Sequence, residues 1–406
     1  MNEFGFERLR RAPDVEASNL FAYDATDRLL VERALALSAE QRLSGSDIAV
    51  IGDEYGAITL ALTDAGYRGI RLHQDLVTGR RALARNADEL GISGFESHEL
   101  DSSLLEGARL VLLQLPKSLA ELEEIADAVA RWAAPDVVLV AGGRVKHMTL
   151  AQNELLGRSF AEVQPQRAER KSRLIVASGA LAVPAQPPHP QRAEHPEFGL
   201  TLVAHGGAFA ANRIDIGTRV LLEVLAGEAG SAAQLRRSAR LAPESRRDHA
   251  ELQNSSGVMP DEPQVVVDLG CGTGALAAHY ALHHPEAHVM ATDRSAAATA
   301  SARETMMANG VADRVTVTHD DAGSDLPAAG ADLILLNPPF HLGASVHTGA
   351  ATRLFAASAR LLRPGGELLT VFNSSLAYRP ELTRLIGRTE QVHRTSKFTV
   401  TCSIRR

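Results

Sequence analysis

Val265-Val266-Val267-Asp268-Leu269-Gly270-Cys271-Gly272-Thr273-Gly274 reads as a buried strand that runs into a glycine turn and then a helix. A short apolar run bounded by glycine is what a parallel sheet covered on both faces requires. The glycines let backbone approach a ligand closely, and the first helical turn offers free N–H groups. Alone, the turn does not single out a ligand. Nicotinamide-binding folds use nearly the same spacing, and Ala275 even completes the G-x-G-x-x-A form.

Outward from this stretch, the chain is written twice. Ile48-Ala49-Val50-Ile51-Gly52 leads to Gly56 and a helical Ala-Leu run, as the later strand leads to Gly274. Leu115-Pro116-Lys117 follows Gly52 by 63 residues, and Asn337-Pro338-Pro339-Phe340 follows Gly270 by 67. Each copy continues through an Ala- and Leu-rich helix to another apolar strand, near Asp136–Val140 and Glu367–Phe372. Each closes on a late β segment, Lys171–Val176 and Ser396–Val400. Four matches in the same order predict an α/β fold of two tandem, duplicated Rossmann-like domains, with a degenerate N-terminal copy. The expected division is residues 1–183, a linker at 184–198 and a catalytic domain at 199–406. Five prolines between Val183 and Pro196 mark the linker, and an Arg-bearing insertion, partly helical around Ala232–Leu241, is expected from Gly227 to Pro263.

Three carboxylates turn the second copy toward S-adenosylmethionine. Asp268 precedes the turn, where it can hold the ligand's ammonium group. Asp293 ends the next strand, placed for two ribose hydroxyls. Asp321, or its neighbour Asp320, follows the third strand, near an adenine amino group. The plain alternative for Asp293 and Asp321 is that each only caps a helix. Gly270, Gly272 and Gly274 form the cradle, and Asp215 opens a helix that, with Phe209, can close over the methionine end. The first copy lacks most of this. Acidic Asp53 and Glu54 lie inside its turn, Val50 replaces the preceding acid, and only Asp75 stands near the ribose position. No cofactor is expected there.

Asn337-Pro338-Pro339-Phe340 carries the acceptor chemistry. An exocyclic amino nitrogen conjugated to a ring attacks a methyl group poorly because its lone pair is delocalised. Two acceptors, the Asn337 side-chain oxygen and the Pro338 carbonyl, can hold its hydrogens so that the lone pair faces the donor. The two prolines stiffen the loop, and Phe340 can stack on a base. His341 beside the loop can relay a proton, although a lone His is more often structural. At Leu115–Lys117 of the first copy the amide and the ring both read as lost.

Composition sets bounds around this. Of 406 residues, 45% are hydrophobic and 22% charged, as in ordinary globular proteins. Two cysteines, Cys271 and Cys402, cannot build a disulfide framework or a zinc cluster, and no metal is expected. Neither a secretory leader nor a membrane span is evident, so a cytoplasmic location is expected. Formal net charge is -7, so any nucleic-acid surface must be a local basic patch.

With both motifs in hand, the chain resembles the tandem-domain ribosomal RNA guanine-N2 methyltransferases of bacteria. In the second half the likeness runs through Phe209, Asp215-Ile216-Gly217, Asp268-Leu269-Gly270-Cys271-Gly272, Asn309-Gly310, Asn337-Pro338-Pro339-Phe340-His341, Asn373 and Lys397-Phe398. In the first half it runs through Leu115–Ala120, Lys146-His147 and Arg170–Ile175, segments closest to the large-subunit member. The resemblance implies two tandem Rossmann-like class I methyltransferase domains: a catalytic second domain and a degenerate, cofactor-free first domain that helps hold RNA. It also implies methylation of one guanine N2 in protein-free ribosomal RNA. It makes Lys117, Lys146, Arg170, Lys171, Arg173 and Lys397 candidate RNA contacts, and the enzyme is expected to act as a monomer. The Arg-bearing insertion and the overall acidity depart from the family. Two alternatives stay open: a glutamine N5-methyltransferase acting on protein, and an RNA-binding ribosome-assembly factor without catalysis.

Overall fold

The structure, a computed structural model, describes residues 4–227, 264–339 and 343–406. Phe340, His341 and nearly all of the Arg-bearing insertion, with the helix expected around 232–241, lie outside the described residues. The chain divides into two compact units. One comprises Met1–Arg192, Val203–Ala211 and Arg294–Ser301; the other comprises Ala193–Leu202, Asn212–Asp293 and Ala302–Arg406.

The first sheet contains β1 (Ile48–Ile51), β2 (Ile70–His73), β3 (Phe95–Ser97), β4 (Leu110–Gln114), β5 (Val138–Arg144), β6 (Phe160–Pro165) and β7 (Ser172–Ala180). Its order is β3-β2-β1-β4-β5-β7-β6, with only the β7 pairings antiparallel. β1 shows why its residues are almost wholly apolar. Ile48 and Val50 enter the core on one face with helices Ala25–Gln41 and Ala57–Asp64, while Ala49 and Ile51 enter the core on the other with helix Leu119–Trp132. A parallel strand sandwiched between helices has no solvent face to give to polar residues.

After the first sheet, β8 (Gln191–His195) and β9 (Leu200–Ala204) pair in a small two-stranded sheet, so the proline-rich stretch read as a linker contains a strand. The second sheet repeats the plan. It contains β10 (Val265–Leu269), β11 (His288–Asp293), β12 (Val315–His319), β13 (Ala331–Leu336), β14 (Leu362–Asn373), β15 (Thr389–Arg394) and β16 (Phe398–Ile404), in the order β12-β11-β10-β13-β14-β16-β15. Strand for strand this is the first order again, so the duplication extends to topology. In both sheets strand order reverses beside the first strand, and open α/β sheets bind ligands at the carboxyl ends of the strands there. β10 is also split between two cores: Val266 packs with helices Ile216–Leu225 and Ala275–His283, and Val267 and Leu269 pack with Ile334, Leu336 and Phe355.

Candidate active site

The glycine turn leaves β10 under tight backbone control. The N–H groups of Gly270 and Cys271 both donate to the Thr292 carbonyl, at 2.8 and 3.0 Å. Gly270, Gly272 and Gly274 have φ of 79°, 53° and 80°, a region that side chains disfavour. Their surroundings differ. Among the described residues, a Cβ on Gly270 or Gly272 would meet nothing within 4 Å, whereas one on Gly274 would lie 2.6 Å from Met306 and 3.1 Å from Ala302. The first two therefore keep open a space above the turn, and the third lets the turn pack against helix Ala296–Ala308.

Two carboxylates face that turn. Asp268 is buried, and its Oδ2 accepts from the Ala277 N–H at 3.0 Å, inside the first turn of helix Ala275–His283. Burial pushes its carboxyl up to about 7; the Ala277 bond opposes this and the nearby Asp293 adds to it. Asp293, at the end of β11, accepts from the Gly272 N–H at 2.9 Å. Two carboxylates beside a cradle of exposed backbone suit a ligand with cationic groups. The third expected contact is engaged otherwise. Asp321 forms an ion pair with Arg353, and Asp320 accepts from Asp321 N, Ser324 Oγ and Asp325 N, knitting the turn after β12.

Asn337 follows directly on β13, so strand register sets its place. Its Nδ2 donates to both carboxylate oxygens of Asp215, at 3.3 and 3.2 Å, and to Thr218 Oγ1 at 3.0 Å. A carboxylate only accepts, so the amide nitrogen must face Asp215 and the oxygen must face away. That oxygen, Oδ1, is buried and has no hydrogen-bond partner among the described residues. Asp215 meanwhile caps helix Ile216–Leu225, accepting from the Gly217 and Thr218 N–H groups and from the Thr218 hydroxyl. Gly217 makes room: a Cβ there would lie 3.0 Å from Asn337 Oδ1 and 3.2 Å from Nδ2. The structure thus places Asp215, expected beside the cofactor, against the acceptor loop, and adds Thr218 to the site. Pro338 is buried and Pro339 exposed.

Lys397 is exposed just before β16, whose Phe398 pairs with Asn373 at the carboxyl end of β14. It therefore stands at the same end of the second sheet as Asn337. The other basic candidates likewise share the carboxyl end of the first sheet. Lys117 follows β4, Lys146 follows β5, and Arg170, Lys171 and Arg173 lie at the start of the antiparallel β7. Arg170 bonds Glu32 at 2.8 Å; Lys117, Lys146 and Lys171 are exposed, and the Val145 N–H donates to the Lys171 carbonyl. Among the described residues no cluster of three or more His, Cys, Asp or Glu is placed to hold a metal ion, and no helix is long and apolar enough to cross a membrane.

Sheet register corrects the reading of the first copy. Asp268 and Val50 both stand two residues before the first glycine; Asp268 pairs with Leu335, and Val50 with Leu112. Two residues on, Asn337 therefore corresponds to Gln114, not to Leu115. The amide was not lost; it lengthened by one methylene. In the same way Leu269 pairs with Thr292 and Ile51 with His73, so Gln74, not Asp75, corresponds to Asp293. Asp53 has taken over the helix N-terminus, accepting from the N–H groups of Gly56, Ile58 and Thr59 at 3.1, 3.1 and 2.7 Å.

Comparisons agree with a chain of two parts. A family model described as RLMG N-terminal domain matches residues 2–181, and one described as Methyltransferase small domain matches residues 255–402. A Streptomyces avermitilis protein named Ribosomal RNA large subunit methyltransferase G is 33% identical, with 99% of this chain and 98% of the relative covered. A Pseudomonas putida protein of the same name is 32% identical, with 97% and 96% covered. The chain belongs to the ribosomal RNA large subunit methyltransferase G family. The methyltransferase G family shares its tandem fold more widely. The solved T. thermophilus 16S rRNA N2 methyltransferase RsmC, in complex with AdoMet and guanosine, superposes with a TM-score of 0.69 at 21% identity, covering 94% of this chain and 92% of that one. At that identity the likeness is one of fold.

Proposed function

We propose that the second unit transfers the methyl group of S-adenosylmethionine to the N2 amino group of one guanine in large-subunit ribosomal RNA. The observation that carries this is Asn337: its Nδ2 is tied to Asp215 and Thr218, and its buried Oδ1 has no donor among the described residues. A buried acceptor left unpaired costs about 1–3 kcal/mol, and an incoming N–H relieves that cost. The substrate group that fits is thus a planar amino donor.

The residues around the glycine turn fit the methyl donor. Gly270 and Gly272 leave room for its backbone-facing edge, Asp268 suits its ammonium group and Asp293 its ribose hydroxyls. When bound, S-adenosylmethionine supplies an electrophilic methyl group. The chain's own task is orientation. Asn337 Oδ1 and the Pro338 carbonyl hold the two amino hydrogens so that the nitrogen lone pair is directed at the methyl carbon. Positioning of this kind supplies roughly 7–11 kcal/mol in well-oriented systems, so no strong general base is needed. The proton is lost after transfer, when the alkylated nitrogen is strongly acidic.

Phe340 fits a stacking role on the flipped base. The exposed lysines of the first unit, with Lys397 of the second, suit phosphates of the same RNA. Asp53, by occupying the helix N-terminus of the first unit, supports the reading that this unit takes no methyl donor. The enzyme is read as a cytoplasmic monomer; equilibrium sedimentation checks the latter. The central test is transfer of tritiated methyl into naked large-subunit ribosomal RNA, followed by nucleoside analysis. N2-methylguanosine is the expected product. Label in a protein glutamine, or donor binding with no transfer to any RNA, would replace this reading.

A further inference from the structure

We propose that the first unit holds a second nucleobase site, in which Gln114 receives an exocyclic amino group that is recognised but not methylated. This rests on ribosomal RNA being the substrate. The grip on the acceptor amide recurs there in part. Gln114 stands where β13 delivers Asn337, and its Nε2 donates to Asp27 Oδ1. Asp27 lies in the first turn of helix Ala25–Gln41, whose N-cap is Asp24; Thr218 lies in the first turn of helix Ile216–Leu225, whose N-cap is Asp215. In both units an amide at the end of the fourth strand is gripped through its nitrogen by the start of a helix that comes before the first strand in the chain.

The amide oxygen is again turned from the acid, although it is less buried than that of Asn337. Asp27 Oδ2 accepts from the Asp24 N–H and Oδ1 from the amide, so Gln114 Oε1 faces away from the acid. No donor among the described residues bonds it, and Gln114 is only half-buried. Pro116 keeps the place of Pro339, so the loop retains one stiffening ring. The position of Phe340 is held by Lys117, which exchanges stacking on a base for attraction to a phosphate.

The donor half did not survive in the same way. Asp53 fills the helix N-terminus, Val50 replaces Asp268 and Gln74 replaces Asp293. A base held at Gln114 therefore meets no methyl group. The surrounding charge fits a nucleotide: acceptors lie at the centre, and exposed Lys117, Lys146 and Lys171 rim the same end of the sheet. The ligand class is a single-stranded nucleotide with an exocyclic amino group, and uracil, which has none, is excluded.

The test compares short fluorescein-labelled oligocytidine and oligouridine by anisotropy at low salt. Full-length Asn337→Ala protein is used so that the catalytic amide does not contribute. One net hydrogen bond predicts about fivefold tighter binding of oligocytidine. Adding Gln114→Met should bring the ratio to about one while oligouridine affinity is unchanged, and Lys117→Ala should weaken both ligands alike. Without any change at Gln114, oligocytidine should protect backbone amides of 110–117 from hydrogen exchange more than oligouridine does at equal saturation. A base preference that survives Gln114→Met, or equal protection by both ligands, overturns the proposal. Methyl transfer by the unaltered protein is scored separately, so a failed transfer assay with an intact preference would strike the catalytic reading alone.

Discussion

Replacing Asp215 separates two roles that a carboxylate at that position can play, and the geometry favours one. Asn337 Nδ2 lies 3.2 and 3.3 Å from the Asp215 oxygens and 3.0 Å from Thr218 Oγ1. The Thr218 hydroxyl donates its own hydrogen to Asp215, so its lone pairs are left for the Asn337 N–H. Turning the amide over would set Oδ1 against the carboxylate and lose a charge-assisted bond. Such a bond is worth about 1.5–3 kcal/mol, so the correct orientation is preferred by roughly ten- to a hundredfold. Asp215→Asn leaves a partner that can accept or donate, and the preference collapses to a factor of a few. Asp215→Ala removes the anchor altogether and frees Thr218 as well.

The expected outcome is a graded loss of kcat. Asp215→Asn should retain a fifth to a half of the rate, whereas Asp215→Ala should fall by about ten- to a hundredfold, since misplacement of about 1 Å can cost that much. Dissociation constants for S-adenosylmethionine, from calorimetry, should stay within about threefold because Asp215 bonds no part of the glycine turn. Single-turnover transfer into naked ribosomal RNA at saturating donor reads the chemical step. Loss of the helix cap costs about 1 kcal/mol of stability, which a thermal melt reports independently. A tenfold loss of donor affinity in Asp215→Ala, with a normal rate at saturation, would refute the positioning argument and return Asp215 to the cofactor site.

Other perturbations test neighbouring links. Gly217→Ala puts a methyl about 3 Å from the Asn337 amide, and should lower kcat several-fold with unchanged donor affinity in the same assays. Asp268, raised to about 7 in the free protein, must ionise to hold an ammonium group. Donor affinity measured calorimetrically should therefore rise toward pH 7 and level off above it, and a flat profile from pH 5.5 to 8.5 would count against the contact. Asp27 is held at about 8 by burial and by Asp53, against an ordinary 3.8. Its folded pKa is the higher one, so its contribution favours folding at acid pH and is lost as pH rises toward 8, at about 1.4 kcal/mol per unit; Asp27→Asn should flatten that slope in urea titrations. Gly274→Ala meets Met306 and Ala302 with φ at 80°, and should cost about 1–3 kcal/mol in the same titrations.

What the sequence makes legible follows from how locally each feature is determined. Ile48–Gly52 and Val265–Gly270 announce buried parallel strands because strand and turn are adjacent in the chain. The glycine turn and Asn337-Pro338-Pro339 are legible for the same reason. Gln114 is not. Matching by proline sets Leu115 opposite Asn337, but a side chain leaving the end of a strand is placed by its hydrogen-bonded neighbour, and only the pairings Val50–Leu112 and Asp268–Leu335 give that count. Asp215 is ambiguous because a helix cap and a ligand contact call for the same residue, and Asn337 lies 122 positions away. Asp321 likewise finds its partner beyond its own strand and turn, in Arg353, 32 positions on.

The duplicated register also says which parts of the catalytic arrangement depend on one another. Holding an amide at the end of the fourth strand takes only a carboxylate in the first turn of the preceding helix, and Gln114 with Asp27 meets that condition without an open glycine turn. Keeping the turn open takes small residues and an acid behind it, as at Asp268 and Gly270–Gly274. Asp53 shows how easily that half closes, since one side chain reaching back to Gly56, Ile58 and Thr59 satisfies the donors that would otherwise face a ligand. The two halves rest on different backbone segments. A duplicated chain could therefore lose one half and keep the other, and Asn337, whose acceptor no described donor satisfies, marks the copy in which both remain.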